Sequence, residues 1–223
     1  MIGELLHRFE SGGFYMWPIL ACALVVIAIT VDRVYYLYFV VNEDKHALLK
    51  GLNQHVMKGD INGAVRFLSS QKQGPLSRIL KSGMLKAHRD DIEVQAALDE
   101  ASLREVPYFE KRVGFLAVLS NGATLIGLLG TINGMIHCFG AVANVDPAQK
   151  ATVLAAGISE AMNCTAFGLL TAIPALFIFG WLQSRVQHLI DGINECVVAE
   201  MNLVLASRKL FKTTADGAEI PAK

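Results

Sequence analysis

One carboxylate stands alone in the most apolar part of this sequence. Glu160 is the only charged residue between Lys150 and Arg185. A charged side chain at the centre of a bilayer costs roughly 2.5 to 3.5 kcal/mol on insertion scales, so such a residue is by default a functional hypothesis. Burial disfavours the charged form and water favours it, so a glutamate beside a wet path can take up and release a proton. The alternative is a permanently protonated Glu160 that hydrogen-bonds between helices.

Polar and small residues accompany Glu160 on its predicted helix. Asn163, Gly168 and Thr171 lie three, eight and eleven positions further on and share its face. A single apolar helix that only anchors the chain does not need such a stripe, so the spacing favours a proton path over the structural alternative. Asn163 and Thr171 are therefore candidate pore-lining residues.

The preceding hydrophobic run has a narrow face of small residues. Positions at spacings of three and four form it: Ser120, Thr124, Gly127, Thr131, Gly134 and Cys138. Such faces let membrane helices approach closely, so helix packing is the favoured interpretation. Thr131, and with it Thr124, could add a hydroxyl to a proton path. His137, near the outer end of the run, could relay protons or could be a solvated residue at the interface.

Three hydrophobic runs must position these side chains. They extend from Phe14 to Val41, from Val113 to Ala143 and from Ala151 to Leu182. A hydrocarbon core of about 30 Å requires about 20 apolar residues in a helix, and each run is long enough. With 53% hydrophobic and 18% charged residues, the chain is predicted to be an all-α membrane protein with three transmembrane helices.

The residue types argue against several other classes of function. An intramembrane enzyme needs a nucleophile with a base, or a metal-binding pattern such as HExxH, and one carboxylate with one rim histidine supplies neither. The four cysteines show neither CxxC spacing nor a cluster with histidines, so no metal, cofactor or disulfide framework is predicted. A net charge of zero argues against a broad nucleic-acid surface.

The distribution of basic residues predicts the orientation of the chain. Residues 1–41 hold the N-terminal segment and the first span, 42–112 a helical segment, 113–182 the second and third spans, and 183–223 a helix and tail. Segment 42–112 is rich in lysine and arginine, whereas the loop between the later spans holds only Lys150. By the positive-inside rule, segment 42–112 and the C-terminus are cytoplasmic, and the N-terminus and the short loop are outside.

Glycine, aspartate and proline residues predict where the helices outside the membrane begin and end. Segment 42–112 is expected to form several helices, with breaks at Gly59-Asp60 and Gly74-Pro75. An amphipathic stretch leads from Asp90 into the second span, and Pro107 is expected to kink it. The helix of the third span is expected to continue beyond the membrane and to fray from Thr213.

Two further expectations concern the ends of the spans. Asp146 followed by Pro147 has the pattern of an N-cap and a first helical position, so the third helix is predicted to begin there, about 20 Å before Glu160. Asp32 and Arg33 mark the end of the first span. They are not predicted to pair, because adjacent residues do not face each other on a helix.

Two motifs resemble those of a known family. Residues 127–135, GLLGTINGM, are similar to the GLLGTVxGM motif of the MotA/TolQ/ExbB proton-channel family. Residues 157–169, GISEAMNCTAFGL, followed by AIPA at 172–175, are similar to its GIxEALxxTAxGLxxAIPA motif. One departure is Thr124, since the family often has proline three residues before the first glycine of GLLGTV. The three spans and the glutamate match the TolQ/ExbB branch better than flagellar MotA.

The resemblance implies a function and a set of partners. The chain would be the larger subunit of a motor in the bacterial inner membrane, a homopentamer around a dimer of a single-span ExbD/TolR-like protein. Proton motive force would drive that partner and, through a TonB/TolA-like or other envelope protein, energise outer-membrane transport or envelope maintenance. The alternatives are a motility-type stator subunit and a non-conducting membrane scaffold.

The resemblance also implies roles for three residues. Glu160, Thr165 and Thr131 match the family's pore glutamate and two pore-lining threonines, and the partner's membrane aspartate would be the main proton carrier. Thr165 is about 140° around the helix from Glu160, so the two residues are expected to meet different neighbours.

Overall fold

The computed structural model describes residues 12–41, 43–71, 74–143 and 145–216, with side chains as far as residue 207. Every regular element in these ranges is helical. We number them α1 (Met16–Tyr35, continued by a π-helical turn Tyr36–Val40), α2 (Lys45–Val56), α3 (Ile61–Ser70), α4 (Pro75–Leu85), α5 (Asp91–Glu110), α6 (Val113–Ala143) and α7 (Lys150–Asp216). Three of the described helical stretches are long and apolar enough to cross a membrane. They include α1, α6 and most of α7, which confirms the prediction of three long apolar helices.

The chain divides into two compact units. The first combines residues up to 33 with residues 112–183, and we call it the span unit. The second combines residues 34–111 with residues from 184 onward, and we call it the bundle unit. Helix α7 contributes to both, its first half to the span unit and its second half to the bundle unit.

Small residues hold α6 and α7 together within the span unit. A Cβ atom at Gly127 would lie 3.0 Å from the carbonyl oxygen of Cys164, and one at Gly168 would lie 2.8 Å from that of Ala123. The two backbones therefore approach more closely than larger side chains would allow. The hydroxyl of Ser120 also donates a 2.7 Å hydrogen bond from α6 to α7. These contacts confirm that the small-residue face of the second span packs against a helix.

The bundle unit has its helix breaks at the predicted positions. Asp60 ends the turn after α2 and caps α3, its carboxylate accepting a 2.7 Å hydrogen bond from the amide of Gly63. Helix α4 begins at Pro75, where a missing N–H costs nothing. Its other N-terminal donors are satisfied by Glu43, whose carboxylate accepts hydrogen bonds from the amides of Gly74 and two following residues. The apolar interior includes Leu52, Leu68, Leu80 and Leu98, which are fully buried.

The structure corrects the predicted ends of two helices. Helix α7 begins at Lys150, because residues 147–149 form a turn in which the amide of Gln149 bonds to the carbonyl of Asp146 at 2.9 Å. Glu160 is therefore about 15 Å, and not 20 Å, from the start of its helix. At the other end α7 continues to Asp216, beyond the fraying predicted at Thr213. The last seven residues of the predicted tail lie outside the described ranges.

The structure also describes the ends of α1 and α5 and the residues beside them. Helix α5 runs through Pro107 and ends at Glu110, and the chain turns at Arg112, whose φ is +66°. Arg33 and Asp32 do form an ion pair, at 2.9 Å, contrary to the prediction. The guanidinium is long enough to fold back over the backbone to the adjacent carboxylate. Arg112 approaches the same carboxylate at 3.3 Å.

Candidate functional site

A polar cavity of about 350 Å³ lies in the span unit around Glu160. Its polar lining includes the side chains of Asn133 and His137 from α6 and of Glu160 from α7. The rest of the wall is small or comes from the turn before α1: Gly12, Gly13, Phe14, Tyr15, Gly130, Gly134, Cys138, Ala141, Val153, Gly157 and Cys164. The cavity thus places a carboxylate, an imidazole and an amide beside one volume large enough for several water molecules.

Helical periodicity explains why these residues share one cavity. On α7 the lining positions recur every three or four residues, from Val153 through Gly157 and Glu160 to Cys164. On α6 they recur in the same way around Asn133 and His137. Several of these positions are glycine or another small residue, which leaves space beside the helices that larger side chains would fill.

The carboxyl of Glu160 is exposed in the single chain and lies against the turn that precedes α1. A Cβ atom at Gly13 would be 2.8 Å from Glu160 Oε1. One helical turn further along α7, the thiol of Cys164 donates a 2.9 Å hydrogen bond to the carbonyl of Gly12. Neither contact could be found from the sequence, because more than 140 residues separate the partners.

Thr131 and Thr165 form a second polar cluster at the contact between α6 and α7. Their hydroxyls hydrogen-bond to each other. Each is also within hydrogen-bond distance of the carbonyl of Gly127, at 3.0 Å from Thr131 and 3.3 Å from Thr165. Glu160 and Thr165 therefore have different neighbours on one helix. The pairing of the two threonines was not predicted, although the resemblance assigned both to a pore.

The remaining predicted residues lie in different parts of the span unit. His137 lines the cavity with Glu160. Thr171 lies apart from it, in an apolar groove of about 430 Å³ between α1 and α7. Thr124 is exposed and donates to the carbonyl of Ser120 at 3.1 Å, and Asn163 is half-buried and is not among the cavity-lining residues.

Sequence reasoning missed one polar residue of the cavity, Asn133. It lies off the small-residue face of α6, yet its position four residues before His137 puts the two side chains on one face. That spacing is the signal that could have identified it. Within the described ranges, no group of three histidine, cysteine or carboxylate side chains is arranged to hold a metal ion.

Residues 71–195 match the model of a protein family described as the MotA/TolQ/ExbB proton channel family. The match includes α4, α5, α6 and α7 as far as Glu195, so it covers the cavity residues contributed by α6 and α7. The turn before α1, which supplies the remaining wall of the cavity, lies outside the matched residues.

The chain is also similar to named relatives in sequence and to a solved structure in fold. A biopolymer transport protein exbB1 of Vibrio cholerae is 26% identical over 200 residues, 86% of this chain and 88% of that protein. The Tol-Pal system protein TolQ of Haemophilus influenzae is 41% identical over 93 residues, 41% of this chain and 40% of that protein. A solved structure of C. jejuni MotAB shares the fold, with a TM-score of 0.61 over 92% of this chain and 82% of that one at 14% identity.

Proposed function

The chain belongs to the MotA/TolQ/ExbB proton channel family, and we propose that it is the channel subunit of a motor in the bacterial inner membrane. In this proposal five copies surround a dimer of a single-span ExbD/TolR-like protein, which the proton motive force drives. The names of the relatives, ExbB and TolQ, support transport energisation or envelope maintenance as the task. The observation that carries the proposal is the polar cavity in which Glu160, His137 and Asn133 meet within a pair of apolar helices.

The cavity supports a proton-handling role because of the chemistry of His137, Glu160 and Asn133. The two ring nitrogens of His137 allow it to accept a proton on one side and donate one on the other. A carboxyl beside water can accept it, whereas the amide of Asn133 can orient water without changing its own charge. With the N-terminus outside, as the positive-inside rule predicts, the turn before α1 and the cavity lie on the side from which protons enter.

A second chain completes the path in this proposal. Glu160 is exposed on the single chain, which fits a residue that forms one wall of a pore shared with a partner. A membrane aspartate of the partner then carries the proton onward, and Thr131 and Thr165 add hydroxyls at the contact between α6 and α7. Each proton that crosses supplies about 2.3 kcal/mol per 100 mV of membrane potential.

Proton flux in vesicles tests this function. The chain is reconstituted with a single-span protein that has one membrane aspartate, and flux is followed with a pH-sensitive dye under an imposed potential. Flux is expected only when both proteins are present, and Glu160→Gln is expected to reduce it by roughly 100-fold, the lower end of what a positioned proton-transfer group contributes.

A matched control separates the site from general damage. Glu195 is an exposed glutamate on the same helix but in the bundle unit, so Glu195→Gln should leave flux unchanged. Undiminished flux in Glu160→Gln would contradict the proton-path role. An absence of flux with every such partner would favour the scaffold, and flux only with a motility-type partner would favour a stator of that kind.

A further inference from the structure

Gly13 has a backbone conformation and a position that both disfavour a side chain. Its φ is +71°, in the left-handed region that favours glycine. The space that a Cβ atom would take is occupied by the carboxyl of Glu160, with Oε1 at 2.8 Å and the carboxyl carbon at 3.9 Å. Both the positive φ and the nearby carboxyl of Glu160 therefore favour glycine at this position. The second reason directly concerns the carboxyl of the proposed proton path.

The turn that contains Gly13 is attached to both helices of the cavity. The thiol of Cys164 on α7 bonds to the carbonyl of Gly12 at 2.9 Å. A Cβ atom at Gly130 on α6 would lie 3.1 Å from the Cβ of Tyr15. The amide of Met16 bonds to the carbonyl of Gly13 at 3.3 Å and closes the turn onto α1. Gly13 is thus held in place by contacts on either side of it.

We propose that Gly13 is a positioning residue for Glu160, and that the turn Gly12–Tyr15 sets the place of the Glu160 carboxyl in the cavity. The inference rests on the proposed function, since it concerns where that carboxyl accepts and releases its proton. The turn forms part of the wall of the cavity beside the carboxyl, and His137 and Asn133 line the same cavity. A side chain at Gly13 pushes the carboxyl away from that place.

The atom that a Cβ would displace determines what a substitution does. Glu160 Oε1 is the far end of a flexible side chain and not part of a backbone. The added methyl group is therefore accommodated by rotation of Glu160, and the packing of α6 on α7 is left in place. Gly13→Ala is expected to fold and assemble while it moves the carboxyl.

Partner-dependent proton flux as a function of pH is the test. Gly13→Ala is expected to lower flux by roughly tenfold or more, since a displacement of 1 Å in a reacting group can cost about 100-fold. It is also expected to shift the midpoint of the pH–flux curve, because the carboxyl meets different neighbours. Gly13→Asn separates steric displacement from backbone strain, because asparagine tolerates positive φ yet carries a Cβ. It should reproduce the effect of Gly13→Ala.

Two further variants make the test specific. Gly59 has nearly the same φ, +72°, and lies in the bundle unit, so Gly59→Ala places a methyl group on the same backbone conformation away from Glu160. Glu160→Asp shortens the side chain by one methylene and makes room for a methyl group at position 13. In a double-mutant cycle, Gly13→Ala with Glu160→Asp should retain more flux than the two single effects combined predict.

The outcomes separate this inference from the function on which it rests. Full flux in Glu160→Gln overturns the proposed function, whatever Gly13 does. Loss of flux in Glu160→Gln together with an unchanged pH–flux curve in Gly13→Ala and Gly13→Asn overturns the positioning role alone. Strictly additive effects in the cycle also overturn it, because the two side chains would then act independently.

Discussion

Glu200 is a carboxyl enclosed in the bundle unit, and its ionisation should set how the stability of that unit depends on pH. Its exposed fraction is 0%, and neither carboxyl oxygen has a hydrogen-bond partner among the described residues. A Cβ atom at Gly83 on α4 would lie 2.8 Å from Glu200 Oε1 and 2.6 Å from the side chain of Leu98 on α5. This burial raises the pKa of Glu200 well above its ordinary value of 4.5.

The sign of the effect follows from the proton that the folded state retains. Above the unfolded pKa, the unfolded chain releases the Glu200 proton, whereas the folded chain keeps it until the pH reaches the raised folded pKa. The free energy of unfolding therefore falls as pH rises through that window, by about 1.4 kcal/mol per pH unit. Cys196, one turn earlier on α7, contributes no slope near neutral pH, because burial raises its pKa to about 11.

Glu200→Gln removes the ionisation and nearly keeps the shape of the side chain. The wild type should lose stability relative to the variant as pH rises from 5 to the raised folded pKa. The difference between their free energies of unfolding, variant minus wild type, should increase by about 1.4 kcal/mol per pH unit. The buried amide brings its own unsatisfied donors, but that cost does not change with pH. Denaturant unfolding in detergent, followed by helical circular dichroism from pH 5 to pH 8, measures the slope.

A second glutamate on α7 provides the control. Glu195 is exposed and pairs with Lys45, which lowers its pKa below the ordinary value. The stability that this pair contributes is present above the unfolded pKa and is lost only as pH falls through the lowered folded pKa. Glu195→Gln should therefore differ from the wild type by a constant between pH 5 and pH 8. Parallel curves for Glu200→Gln and the wild type over this range would refute the argument for a buried, protonated Glu200.

Two further substitutions test the packing and capping described above. Gly168→Ala should lower the free energy of unfolding by about 1 to 3 kcal/mol, because the added Cβ would lie 2.8 Å from the backbone oxygen of Ala123. A Cβ atom at Gly140 would meet nothing within 4 Å beyond its chain neighbours and its own helix backbone, so Gly140→Ala should be neutral or slightly stabilising in the same thermal unfolding assay. Glu43→Ala should cost about 1 kcal/mol and increase amide hydrogen exchange at the start of α4, because it removes the acceptor for that helix's N-terminal donors. Equal melting temperatures for the two glycine variants, or unchanged exchange in Glu43→Ala, would contradict these expectations.

The sequence predicted features that depend on local pattern. Hydropathy located three spans because each of them must bury about 20 residues in lipid. The pairs Gly59-Asp60 and Gly74-Pro75 located two helix breaks. At the first pair Asp60 caps the next helix, and at the second pair Pro75 begins it. The small-residue face of α6 predicted a close helix contact, although the pattern alone did not name Gly168 as part of the opposite surface.

Features that depend on distant residues were not predicted. Helical periodicity places Asn163 and Thr171 on one face with Glu160. It does not say which other helix or turn packs against each part of that face. Thr171, three turns further on, faces α1 in an apolar groove, while the turn at Gly13 contacts Glu160 from a position 147 residues away. The ion pair of Asp32 and Arg33 was missed for another reason. Adjacent residues on a helix have Cβ atoms that point in different directions, but the long side chain of arginine can still bring its guanidinium to the neighbouring carboxylate.

The two polar clusters of the span unit differ in how their polarity is satisfied, and this difference limits the roles they can take. The hydroxyls of Thr131 and Thr165 are half-buried and share the carbonyl of Gly127 within the contact between α6 and α7. A proton passing through them must disturb bonds that also hold the helix pair. Glu160 is exposed beside a cavity large enough for water, so it can exchange a proton while the helices stay packed. Within the proposed function, the carboxyl is therefore the group better placed to exchange a proton with water, whereas the threonine hydroxyls hold the contact between α6 and α7.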